Sequence, residues 1–132
     1  MDKKRRYLDY RKDEATERMN SLRWLCINYM PSRFLRGLRE FAEEGSGIGL
    51  SDYERFLFPC NILPWEPEYF GNQGVLLQLD DPMGKDDCAI LLTNKEFYEE
   101  ISLWSEEYVT LHPEDAEAVT ELLEKLRERF GL

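Results

Sequence analysis

Two short runs, VLLQLDD at 75–81 and CAILLT at 88–93, constrain the fold of this chain more than any other feature. Both read as strands, and both are almost continuously apolar, so at least one face of any sheet they form has to be covered. PMGKDD lies between them and is rich in turn residues, so the two runs form an antiparallel hairpin.

Helical periodicity supplies the cover. Ala15, Met19, Leu22, Cys26 and Tyr29 recur at spacings of 4, 3, 4 and 3, one face of a helix that Pro31 stops, with Ser32 placed to cap the next. Phe34, Leu38, Phe41 and Ala42 form a second stripe, ended by Gly45. After the hairpin, Thr93 and Glu96 fit a capping box, followed by Phe97, Ile101, Trp104, Tyr108 and Leu111. HPED at 112–115 restarts the chain with Pro113 at a first helical position, and Val119, Leu122, Leu123, Leu126 and Phe130 make the last stripe before Gly131. The fold class is α+β: a small antiparallel sheet covered by N-terminal helices and a C-terminal αα-hairpin. Residues 51–58 are a candidate for a further strand.

The stretch FLFPCNILPWEPEYFGNQGV, 56–75, resists both patterns. Pro59, Pro64 and Pro67 exclude a helix through its middle and suit a central strand poorly. Phe56, Phe58, Trp65, Tyr69 and Phe70 either close the core beneath a long loop or form a binding surface. The first reading is strongest for Phe58 and Phe70, and both stay open for Trp65 and Tyr69.

Charge is unevenly spread. Residues 1–39 carry 11 Lys and Arg against 5 Asp and Glu, while residues 40–132 carry 6 against 22, within a formal net charge of −10. Such an acidic body repels nucleic acid and anionic membrane and attracts a basic partner. Residues 1–14 read as a basic tail or frayed helix start, and 15–132 as one domain. With no apolar run of about 18 residues and no apolar stretch behind the basic start, the expected location is the cytoplasm.

Nothing in the chain is a catalytic signature. Cys26, Cys60 and Cys88 are odd in number and widely spaced, which argues against a disulfide framework or a zinc site. The glycines of GSGIG, 45–49, follow a helix and lack the Lys-Ser/Thr of a phosphate loop. His112 is the only histidine and sits at a helix corner. Asp80, Asp81, Asp86 and Asp87 flank one turn without EF-hand spacing, so neither metal nor cofactor is expected.

FAEEGSGIGLSDYERFLFP, then PWEPEYFGNQGV, then the hairpin, then EFYEEISLWSEEYVTLHPEDAEAV resembles the bacterial immunity proteins that neutralise ribonuclease toxins of contact-dependent growth inhibition (CDI). The likeness spans roughly 38–132 and rests on Gly47, Gly49, Tyr53, Phe58, Pro59, Pro64, Trp65, Glu66, Phe70, Gly74, Val75, Phe97, Tyr108, His112 and Pro113. Three departures stand out: FGNQGV is longer than the family's Phe-x-Gly-Val pattern, the hairpin turn is also long, and the basic residues 1–18 have no counterpart in it. The resemblance implies a non-enzymatic protein that binds a cognate basic ribonuclease domain one to one and covers its active site or RNA groove. Toxin contacts are then expected from Asp52, Glu54, Trp65, Glu66, Glu68, Tyr69, Asp80, Asp81, Asp86 and Asp87, as aromatic anchors within an acidic rim. Another acidic interaction module, an adaptor or an antitoxin of another system, is the alternative.

Overall fold

The computed structural model describes residues 13–81, 83 and 87–132. The elements are α1 (Asp13–Tyr29), α2 (Pro31–Arg39, prolonged by a π-helical turn at Glu40–Glu44), β1 (Glu54–Leu57), β2 (Val75–Leu79), β3 (Cys88–Leu92), α3 (Asn94–Leu111) and α4 (Ala116–Phe130). The class is α+β, as expected, and 51–58 does supply a strand. The tail expected at 1–14 lies, up to residue 12, outside the described residues.

The helix ends follow local chemistry. Thr93 Oγ1 accepts from the Glu96 N–H at 3.0 Å and Glu96 Oε1 accepts from the Thr93 N–H at 2.9 Å, so the capping box opens α3. Gly45 and Gly131 end their helices in the left-handed conformation. The boundary between α1 and α2 corrects the sequence reading: Met30 is the capping residue, with no side-chain bond, and Pro31 takes the first helical position, where its missing N–H costs nothing. The α1 stripe also needs correction. Met19, Leu22 and Cys26 are buried, but Tyr29 is 67% exposed and Ile27 is buried in its place. After the Pro31 bend α2 packs beside α1, and Ile27 joins the main core.

The strands lie in the order β1-β2-β3, all antiparallel. Phe56, Leu77 and Ile90 align across one face, and Leu57, Leu76 and Leu91 across the other. The first face joins the main core, where Phe97 sits with its ring centroid 5.1 Å from Phe41, 5.3 Å from Phe56 and 5.6 Å from Phe58. The second face is closed by the proline-rich loop: Ile62, Tyr69 and Phe70 pack on Leu57, Leu76, Ala89 and Leu91. The non-periodic aromatics thus divide: Tyr69 and Phe70 roof the second face, Phe56 and Phe58 fill the main core, and Trp65 stays exposed.

Side chains lock this roof. Asn61 Oδ1 accepts from the Gly47 and Phe58 N–H groups, each at 2.8 Å, and its amide donates to Ser46 Oγ. The glycine segment runs along the outer edge of β1, where the Phe56 N–H donates to the Ile48 carbonyl at 2.8 Å. A Cβ on Gly47 would lie 2.0 Å from the Phe56 carbonyl oxygen, so close backbone approach explains the glycine. At the far side, Arg129 of α4 donates to the Ala42 and Glu43 carbonyls at the end of the α2 turn.

Candidate functional site

The expected contact residues divide into two groups. Strand register puts Glu54 opposite Leu79 and Leu79 opposite Cys88, so Asp52, Glu54, Asp80, Asp81 and Asp87 gather at one end of the sheet. Asp86 falls outside the described residues. Trp65, Glu66, Glu68 and Tyr69 belong to the loop over the second face, which leaves and re-enters the sheet at its opposite end. The two groups are therefore separate surfaces.

At the acidic end, part of the charge has local work. Asp87 Oδ1 accepts from the Asp81 N–H at 2.7 Å, and Asp81 Oδ1 from the Met83 N–H at 3.3 Å, so these carboxylates organise their own turn. The Asp80 N–H donates to the Tyr53 carbonyl at 2.7 Å and its carbonyl accepts from Arg18 at 3.2 Å, which stitches the turn to β1 and α1. Glu54 accepts from Ser51 Oγ. Asp52 is exposed.

The loop sorts its aromatics clearly. Trp65 is 78% exposed, whereas Tyr69 is partly buried on the second-face cluster. Glu66 Oε2 accepts from the Leu63 N–H at 2.6 Å, and the Tyr69 N–H donates to the Glu66 carbonyl at 3.0 Å. The turn thus holds Trp65 outward with little freedom left to its backbone. Among the ten expected contacts, Trp65 is the large apolar side chain offered to solvent.

Sequence reading missed a third surface. Trp24 and Leu25 fall off the buried stripe of α1 and are 56% and 41% exposed, next to the exposed Tyr29. The available signal was an aromatic and a leucine out of phase with the 4-3-4-3 pattern.

The nucleophilic residues have structural surroundings. His112 closes α3, its ring centroid 4.7 Å from that of Tyr108 and its Nδ1 3.5 Å from Glu114. Cys26 is buried, and that burial pushes its thiol from the ordinary 9.0 up to about 11, with Glu54 adding to the effect. Cys88 accepts a bond from Arg18 at 3.1 Å, and Cys60 is exposed near the Gly45 carbonyl. Burial and a 2.6 Å bond to Asp115 push the Tyr108 phenol up to about 12. Among the described residues no helix is long and apolar enough to cross a membrane.

Comparison with known proteins adds one match. The family model of CDI immunity proteins aligns with residues 18–123, from the middle of α1 into α4. It starts twenty residues before the likeness read from motifs and so takes in the second half of α1. No curated protein matches the chain.

Proposed function

The chain belongs to the CDI immunity protein family, and we propose that it neutralises a basic ribonuclease toxin domain by covering the active site or RNA groove with an acidic surface. Family membership supports a toxin-neutralising role; the choice of a ribonuclease and of an acidic mechanism rests on charge. A net charge of −10 complements an enzyme that must hold RNA phosphates, and such complementarity raises the association rate toward ~10⁸ M⁻¹s⁻¹ at low salt. The protein acts by binding, in a one-to-one complex, in the cytoplasm of the cell that makes it, with residues 15–132 working as one domain.

The observation that carries the reading is the conjunction of that charge with exposed aromatics on a fixed scaffold. Asp52, Glu54 and the Asp80–Asp87 turn supply charge, and Trp65 with Glu66, Glu68 and Tyr69 supplies an anchor whose ordering cost is reduced by Pro64, Pro67 and the Glu66 bond. Calorimetric titration against the toxin domain encoded beside the gene, with RNA cleavage measured on the same samples, tests it. A one-to-one complex near or below ~10 nM with cleavage abolished is expected, ~10 nM corresponding to about −11 kcal/mol. Binding that leaves cleavage intact would turn the reading toward another partner.

A further inference from the structure

Helix α1 carries three large exposed apolar side chains close together in sequence. Trp24, Leu25 and Tyr29 lie within six positions of one another, and the Trp24 and Tyr29 rings meet edge to face with centroids 5.2 Å apart. Glu17, Ser21, Leu25 and Tyr29 are spaced by four, so they form one row along the helix. Glu17, Ser21 and Leu25 of this row line a groove of about 400 Å³ that Glu54 of β1 also lines. Asp52 and the 43% exposed Tyr53 precede Glu54 on the same segment. Arg18, the cation among the described residues that line the groove, donates to the Asp80 carbonyl and the Cys88 sulfur.

A helix that only needed to cover the sheet would present polar residues here. Instead Leu25 lines a groove with the carboxylates of Glu17 and Glu54, and the exposed rings of Trp24 and Tyr29 flank it in sequence and touch each other. We propose that this face, Trp24, Leu25 and Tyr29 with Tyr53 and the acids Glu17, Asp52 and Glu54, is the surface on which the toxin domain docks. The inference rests on the immunity reading and deepens it by naming the surface. Aromatic anchors set within a charged rim are the composition of binding hot spots, and the acids select a basic partner. A second copy of this chain is disfavoured as the occupant, because each copy carries a net charge of −10. Asp52 and Glu54 belong to both surfaces, but the Trp65 loop roofs the opposite face of the sheet, so docking here makes Trp24 and Tyr29, in place of Trp65, the aromatic anchors.

The test is titration of the full chain and of variants with the toxin domain encoded beside the gene, alongside sedimentation of the chain alone. The Trp24→Ala/Tyr29→Ala double variant should bind at least about 30-fold more weakly at an unchanged melting temperature. Ser21→Arg, which sets a cation in the row without removing packing, should also weaken binding and should slow association most at low salt. Wild-type binding that both variants reproduce within twofold overturns the docking surface and leaves the immunity reading standing. A wild type that neither binds nor protects RNA overturns the reading itself, and this surface with it. Self-association that the double variant abolishes, with toxin binding untouched, assigns the face to a second copy and likewise overturns the proposal.

Discussion

The two faces of one three-stranded sheet are closed by different materials. Helices cover the first, and their aromatic rings interlock around Phe97. A loop covers the second, with Ile62, Tyr69 and Phe70 laid over the strands and Asn61 clasping the loop to the glycine segment. Each cover also turns one tryptophan to solvent: Trp24 on α1 and Trp65 on the loop. The two covers hold their shape by different means. The helical face concentrates buried contacts, and the loop face holds its shape by prolines and a few hydrogen bonds.

Mutations can break that contrast in order of size. Phe97→Ala removes the ring at the centre of the helical face and should cost about 3–5 kcal/mol, a large share of the 5–15 typical of a domain. Chemical denaturation measures it, and a loss below 1 kcal/mol would mean the two covers are equivalent. Ile62→Ala on the loop face should cost about 2 kcal/mol, near the low end for such truncations, because a loop can settle into the space more easily than packed helices can. Asn61→Ala leaves the Gly47 and Phe58 N–H groups to water and should cost about 1 kcal/mol, with faster amide exchange confined to 46–62.

A fourth test reads the helical face by pH. Tyr108 titrates near 10 in the unfolded chain and is held up to about 12 in the fold, so the neutral phenol is the favoured form. Its contribution is complete below about pH 10 and is lost as pH rises toward 12. Stability measured across that window should fall in the wild type and fall less in Tyr108→Phe; equal slopes would remove Tyr108 as the cause. The smallest effect belongs to Trp65→Ala, which should change stability by no more than about 0.5 kcal/mol. A sharp drop in melting temperature would instead make Trp65 part of the roof.

What was legible in the sequence was whatever repeats or caps. The hairpin at 75–92, the Thr93–Glu96 box and the helix ends at Gly45 and Gly131 depend on neighbours within a few residues, and all appear as expected. What was not legible depends on partners far along the chain. Tyr29 fits its helical period, yet Ile27 is the residue that joins the main core. Ile62, Tyr69 and Phe70 have no period at all, and only the register of Leu57, Leu76 and Leu91 shows what they cover. The site follows the same rule. The acids were visible, but strand pairing was needed to show that Glu54, Asp80, Asp81 and Asp87 share one end of the sheet while Trp65 stands apart. Exposure was needed to bring Trp24 and Tyr29 forward.

The bonds from Arg129 to the Ala42 and Glu43 carbonyls span 87 and 86 residues of the chain. Read as an order of events during synthesis, they impose a wait. At roughly 5–20 residues per second, Arg129 is added on the order of 4–17 s after the α2 turn it ties down. Until then that turn has no partner from α4, and Phe130 is missing from beside Phe58 and Phe97. A nascent chain therefore cannot complete its fold before its last helix is made, and protection from toxin depends on copies finished beforehand.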